Sequence, residues 1–257
     1  SVTGVQTCAL PICIMEQNPN LSIVIPVCNE EESIGTLIKE IDQVLERSLG
    51  YEIVVVDDGS HDGTVAVLNG LKQELDQLRV IRHLQNSGQS TAIRSGIKMA
   101  NAQWIATLDG DGQNDPADIP KLYLKLTEEE KGDPALVVAG HRKKRKDHWF
   151  RSFYSRIANR IRANLLRDET PDTGCGLKVF SRERFLDLPY FDHMHRYIPA
   201  LFIRQGGRVI SVEVNHRHRE QGTSKYGFHN RFWVGIMDLL GVRWLLNRAK
   251  TPEVEEL

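Results

Sequence analysis

Apolar residues in this chain fall into short β-branched runs separated by stretches with helical spacing. Leu21 to Pro26 (LSIVIP) is a run closed by proline and reads as a buried strand. From Glu31 to Arg47 the apolar positions are Ile34, Leu37, Ile38, Ile41, Val44 and Leu45, the stripe of an amphipathic helix. The same alternation repeats. Tyr51 to Val56 is a strand, His61 to Leu78 a helix, Val80 to His83 a strand, Ser90 to Ala100 a helix and Trp104 to Leu108 a strand. Strand and helix in strict turn predict an α/β fold with a mostly parallel sheet flanked by helices. After Pro120 the rhythm changes. Leu136 to Ala139 and Gly207 to Val214 read as strands, and Asp172 to Phe180 as a glycine-bearing loop running into a strand. Phe150 to Leu166 and Phe228 to Leu246 read as helices. No repeat, low-complexity segment or long linker divides the chain.

In such sheets ligands bind beyond the carboxyl ends of the strands. Two acidic clusters fall at those ends, Asp57-Asp58-Gly59-Ser60 after the second strand and Asp109-Gly110-Asp111-Gly112-Gln113 after Leu108. Asp109 and Asp111, two residues apart in a tight turn, can converge on one hard cation, with Gln113 adding a neutral oxygen. Mg2+ and Mn2+ favour such oxygen ligands and commonly share them with substrate phosphates. The competing reading is a solvated acidic turn. Around Asp57 and Asp58 a carboxylate could accept hydrogen bonds from a base or a ribose hydroxyl, while Ser60 or Asp62 could cap the next helix.

Composition narrows the class. The chain has 257 residues, 40% hydrophobic and 26% charged, with a formal net charge of −1. It is long enough for a self-sufficient core, and it offers no global electrostatic case for nucleic acid. The four cysteines, Cys8, Cys13, Cys28 and Cys175, have neither zinc-site nor obvious disulfide spacing and fit a reducing cytoplasm. Residues 1–14 resemble no secretion signal, and the expectation is a non-native or disordered tail with the native start at Met15.

The strings IVIPVCNEE, VVVDDGSHDGT, QNSGQSTAIRSG and TLDGDGQNDP resemble family 2 glycosyltransferases of the GT-A fold, a Rossmann-like nucleotide-diphospho-sugar transferase architecture. PDTGCGLKVF and NHRHREQGTSKYG are similar to the dolichol-phosphate mannose synthase branch, with His216, Arg219, Gly222, Ser224, Lys225 and Tyr226 in its more specific pattern. The resemblance covers Leu21 to Gly241. It implies a catalytic domain over residues 15–227 and a C-terminal amphipathic helix and tail over 228–257. It implies that Pro26, Glu30, Val56 and Asp58 hold the nucleoside, and that Asp109, Asp111 and Gln113 hold the metal and the donor diphosphate. Arg142 would face a phosphate, Arg151 and Ser155 would meet the acceptor phosphate, and Arg219 and Lys225 would contact phosphates as a loop closes. Asp111 and Arg219 are the expected catalytic residues. Cys28 stands where the branch often has tyrosine.

The expected reaction is metal-dependent, inverting transfer of a sugar, with mannose favoured, from a nucleotide-sugar to a polyprenyl phosphate. GDP-mannose is the favoured donor and a UDP-sugar the alternative. The rivals are a transferase using a saccharide hydroxyl, which requires a carboxylate base, and a non-catalytic nucleotide-sugar binding protein. A nucleotidyltransferase would need a glycine-rich basic loop after the first strand, which PVCNEEES lacks. No run reaches the ~20 apolar residues of a spanning helix. Tryptophans and arginines around the 228–246 run, with Lys143 to Lys146, suit a protein lying on the cytoplasmic face of a membrane. Packing of that helix on the catalytic domain is the competing reading.

Overall fold

The computed structural model describes residues 19–130, 135–142, 162, 165–166, 170–217, 228–250 and 255, the side chains of 228–234 excepted. The expectations placed on 1–14, 143–146, Arg151, Ser155, Arg219 and Lys225 lie outside the described residues, as does most of the helix expected over 150–166.

Four parallel strands form the first half of the sheet: β1 (Leu21–Val27), β2 (Tyr51–Asp58), β3 (Leu78–His83) and β4 (Trp104–Thr107). Between them run α1 (Ile34–Leu45), α2 (Thr64–Leu71) and α3 (Gln89–Met99). Then follow α4 (Ile119–Glu129), β5 (Leu136–Arg142), β6 (Lys178–Ser181), α5 (Arg182–Leu186), α6 (Ile198–Arg204), β7 (Arg208–Val214) and α7 (Phe228–Asn247). The seven strands lie in the order β3-β2-β1-β4-β6-β5-β7. β6 pairs antiparallel with both β4 and β5, and every other pairing is parallel. The central strands are buried on both faces, which is why they read as unbroken apolar runs rather than alternating ones.

One core cluster packs α1, α2 and α4 on one face of the sheet, through residues such as Ile38, Leu68 and Leu122. The other packs α3, α5 and α6 on the opposite face, through Ile93, Phe185 and Phe202. Gly96 lets α3 lie close against the sheet: a Cβ there would stand 2.5 Å from Val24 Cγ1 and 3.0 Å from Val56 Cγ2. At the amino ends of the strands Glu52 ties the layers together. Its carboxylate accepts from Ser22 Oγ (2.6 Å), Asn101 N (2.5 Å) and Arg79 Nη1 (2.6 Å). Burial alone would raise its pKa, but these partners hold it below the usual carboxylate range.

One departure from the sequence reading has a local physical cause. α2 ends at Leu71, next to Gly70, and the chain then turns back to start β3 at Leu78. Pro120 sits in the first turn of α4, where its missing N–H costs nothing, and the change of rhythm after it ends in the antiparallel strand β6. α7 packs on the catalytic fold, one of the two arrangements its sequence left open. Val242 is buried, Leu239 and Leu246 pack on the second cluster, and Arg204 Nε donates to the Leu245 carbonyl at 3.1 Å. The other side of α7 exposes Met237, Leu240 and Trp244.

Candidate active site

The carboxyl ends of β1, β2 and β4 converge on one crevice, because the register pairs Val27 with Asp57 and Val24 with Thr107. The two motif loops at the ends of β1 and β2 are bonded to each other. Asn29 N donates to Ser60 Oγ (2.8 Å), His61 N to Asn29 Oδ1 (2.7 Å) and Glu30 N to Thr64 Oγ1 (2.9 Å). Asn29 adopts φ 54°, a left-handed conformation that asparagine tolerates. Gly63, rather than Ser60 or Asp62, stands at the N-cap of α2. Ser60 instead staples the loops, and Asp62 accepts from Thr64 N (3.0 Å) and Thr64 Oγ1 (2.6 Å).

Pro26 and Val56 face each other across the β1–β2 pair and are buried. The Val56 side chain packs beneath α3, so what it can offer a nucleoside is backbone. Glu30 lies at the crevice, its carboxylate 3.0 Å from Ser33 Oγ, whose single proton it shares with the Gly110 carbonyl. Asp58 is 3% exposed and already engaged. His83 Nδ1 (2.7 Å) and Ser87 N (2.9 Å) contact its Oδ1, and Gly88 N (2.8 Å) donates to Oδ2. These contacts hold the 84–88 loop, whose Asn86 reaches Cys28 Sγ at 3.3 Å. A glycine is required at the turn after Asp58: Gly59 has φ 71°, and a Cβ would stand 2.7 Å from Asn86 N.

The second acidic cluster is built differently. Gly110 packs on the end of β1, where a Cβ would stand 2.5 Å from Val27 Cγ1, and Ser33 Oγ donates to its carbonyl at 3.0 Å. The turn is thereby fixed, and Asp111 Oδ1 accepts from Gln113 N at 3.1 Å. Asp109 is partly buried and accepts from Gln89 Nε2 at 2.9 Å. Its far oxygen approaches the Gly176 backbone so closely that a Cβ there would lie 2.2 Å away. Loss of solvation and the nearby Asp111 charge raise its pKa, and Lys178, Gln89 and Arg142 offset this in part. Two carboxylates that disfavour each other's charge fit a divalent cation. Among the described residues no three His, Cys, Asp or Glu gather as a complete metal cage. An ion at Asp109, Asp111 and Gln113 would need further oxygens from a substrate.

Beside Asp109 a cavity of about 310 Å³ opens between β4, β6, α3 and the 194–198 segment. Lys178, 4% exposed, forms part of its wall, its ammonium donating to the Cys175 carbonyl. Burial pushes the Lys178 pKa down, while Cys175, Asp109 and Asp172 pull it partly back. His195 contacts Ser90 Oγ through Nδ1 at 2.8 Å, and its pKa is pushed down to about 3, first by burial and then by Arg196 and Lys178. Arg142 points its guanidinium at Asp172, with Nε–Oδ2 2.6 Å and Nη2–Oδ1 2.7 Å. Its expected phosphate contact is therefore restricted to whatever N–H this fork leaves over. The sequence reading passed over Lys178, His195, Gln89 and His83. A lone lysine inside an apolar strand, preceded by GCG, was the available signal for the first.

A profile of Glycosyl transferase family 2 matches residues 22–188. The chain belongs to this family. The transferase is 36% identical to a dodecaprenyl-phosphate galacturonate synthase of Rhizobium johnstonii, over 92% of this chain and 70% of that protein. It is 35% identical to an undecaprenyl-phosphate 4-deoxy-4-formamido-L-arabinose transferase of Proteus mirabilis, over 83% of this chain and 64% of that protein, so it spans under two thirds of that relative. In three dimensions it resembles glucosyl-3-phosphoglycerate synthase of Mycobacterium tuberculosis in complex with UDP (TM-score 0.65, 19% identity, 91% of this chain and 82% of that one). It also resembles a mannosyltransferase of Pyrobaculum calidifontis in complex with GDP-mannose and Mn2+ (TM-score 0.61, 19% identity, 92% and 67%). At these identities the likeness is one of fold, and the transferase has the mostly parallel, helix-flanked GT-A architecture.

Proposed function

We propose that the transferase moves a sugar from a nucleotide-diphosphate donor to the phosphate of a polyprenyl phosphate, with inversion at the anomeric carbon. The observation that carries this is the Asp109–Asp111 turn, held at the meeting point of β1, β2 and β4 beside a polar cavity. The acceptor follows from the two relatives named for polyprenyl-phosphate sugar transfer. The resemblance of the sequence favours a mannosyl donor, but these relatives are named for other sugars, so the reaction is proposed at the level of a sugar. Pro26, Glu30 and the backbone at Val56 and Asp58 would border the nucleoside. Arg151, Ser155, Arg219 and Lys225 would serve the phosphates.

Asp109, Asp111 and Gln113 would hold Mg2+ or Mn2+, which when bound supplies positive charge against the leaving diphosphate. An acceptor phosphate oxygen attacks the anomeric carbon as the bond to the diphosphate oxygen breaks on the opposite face. Because that phosphate is ionised at neutral pH, no protein base has to remove a proton. The cavity fits this economy. Among its described lining residues Asp109 is the one acid, Asp172 nearby is locked to Arg142, and His195 is a weak base. A hydroxyl acceptor would need a stronger base than these. Catalysis then rests on alignment and charge stabilisation.

The exposed Met237, Leu240 and Trp244 on α7 offer an apolar, indole-bearing face to a lipid surface. Among the described residues no helix is long and apolar enough to cross a membrane. The test is a donor panel with Mn2+ or Mg2+ and a short polyprenyl phosphate, read by mass spectrometry. A lipid-phosphate sugar that forms only with metal is expected. Metal-dependent donor hydrolysis without any lipid product would move the acceptor to a hydroxyl compound.

A further inference from the structure

The cavity beside Asp109 is lined by a buried cation that feels Asp109 and Asp172 but forms no direct ion pair with either. Lys178 lies on β6 in the middle of the sheet, between β4 and β5, with 4% exposure. Lysine is almost never buried to this degree without a partner. Its described hydrogen bond goes to a neutral acceptor, the Cys175 carbonyl. The nearest acids are Asp109, which faces Asp111 across the proposed cation site, and Asp172, whose two oxygens are taken by the Arg142 fork. An ammonium has three donors, so two remain for a ligand.

We propose that the donor sugar is a uronic acid whose carboxylate is read by Lys178 in the cavity wall, with Arg196 at the rim. This rests on the sugar-transfer reading above and names the substrate class of the same site. Arg196 is exposed and lines the cavity, so a second positive charge stands at its mouth. The remaining polar wall, Gln89, Thr173 and the neutral imidazole of His195, suits hydroxyl groups. At about 310 Å³ the space lies at the small end for ligand pockets and matches one sugar ring better than an oligosaccharide. The chemistry is selective because a neutral sugar entering the same space would bury Lys178 further and give its charge no anion. A site built around a buried polar group rejects ligands that leave that group unpaired.

The test uses matched donor pairs: UDP-galacturonate with UDP-galactose, UDP-glucuronate with UDP-glucose, and GDP-mannuronate with GDP-mannose. Binding is measured calorimetrically with Mn2+ and no acceptor, and transfer to a short polyprenyl phosphate in parallel. For the pair carrying the correct base, the uronate should bind roughly tenfold tighter or more. Lys178→Gln should collapse that ratio towards one, and Arg196→Gln, a surface change that spares folding, should lower it in part. Equal binding within every pair, or a preference for the neutral sugar, overturns the proposal. So does an equal loss for both members in Lys178→Gln, since Lys178 would then serve the diphosphate common to both. A neutral sugar transferred to lipid in preference to its uronate sinks this inference and leaves the reaction class standing. Selective uronate binding with no lipid product does the reverse.

Discussion

Asp58 and Asp109 stand at equivalent ends of two parallel strands, β2 and β4, that flank β1, and the fold treats them in opposite ways. Asp58 takes three contacts from its own chain: a histidine ring and two backbone N–H groups at 2.7–2.9 Å. Asp109 takes one side-chain amide at 2.9 Å, a facing carboxylate and the loss of water, and its proton affinity rises. A carboxylate saturated by fixed donors is an architectural part. A carboxylate left short of donors beside a second one is a ligand in waiting. In sequence both are acidic turns with different expected partners; the hydrogen bonds show how far each is already satisfied.

The largest test of this contrast is removal of the under-satisfied pair. Asp109→Ala and Asp111→Ala should each lower transfer by about 10³-fold and abolish Mn2+ binding, because charge on the leaving diphosphate loses its counter-ion. Thermal stability without metal should fall little, since Asp111 accepts one backbone N–H within its own turn and Asp109 one side-chain amide. Retained Mn2+ affinity in Asp111→Ala would remove it from the ligand set.

Asp58→Ala should act the other way round. It leaves His83 and the N–H groups of Ser87 and Gly88 without their acceptor, at a cost of about 2–4 kcal/mol in denaturant unfolding. Activity should fall as a consequence, because the 84–88 loop leads directly into Gln89 and α3. A stable Asp58→Ala with a changed nucleotide KM alone would make Asp58 a ligand and erase the contrast.

How much of this was legible beforehand depends on range. β1, β2 and β4 and the Asp109–Asp111 turn announce themselves within ten residues, through apolar runs that end in the polar CNEE, DDGS and DGDG segments. The antiparallel turn of β6 could not be read, because KVFS is as apolar on average as a parallel strand would be. α6 was missed because Ile198–Arg204 is buried nearly all round and presents no polar stripe. The bonds that decide roles join residues far apart in sequence: Asp58 to His83, Asn29 to Ser60, Gln89 to Asp109, Arg142 to Asp172. Local pattern carries no trace of them, and so the Asp172 partner of Arg142 could not be foreseen.

The pH dependence of the metal-free protein sharpens the comparison further. Asp109 has a raised pKa in the fold. Its contribution favours the folded state below the ordinary aspartate range, near 3.9, and is lost as pH rises through the folded value. Asp172 has a lowered pKa: burial opposes its charge, but the Arg142 fork outweighs that. Its contribution is present above the ordinary range and is lost as pH falls through the folded value. In melting curves without metal, Asp109→Asn should gain stability relative to the parent as pH rises from 4 to about 7. Asp172→Asn should lose most near neutrality and least in acid. Mn2+ should raise the melting temperature of the parent and not that of Asp109→Asn. Parallel pH profiles for the two variants would mean that their environments are alike after all.

The smallest effect probes the donors around Asp58 one at a time. His83 bridges Asp58 Oδ1 at 2.7 Å and Ser95 Oγ at 3.0 Å, so it links the end of β3 to α3. His83→Ala removes one of the three contacts to the carboxylate and leaves both backbone donors in place, so it should cost about 1 kcal/mol. A double-mutant cycle with Asp58→Ala should return a coupling of the same order, because the two residues share that contact. Transfer activity in His83→Ala should stay close to the parent, since Ser87 and Gly88 still hold the loop. A coupling near zero would mean that the two backbone N–H groups alone fix the carboxylate, and that His83 is packed beside it rather than bonded to it.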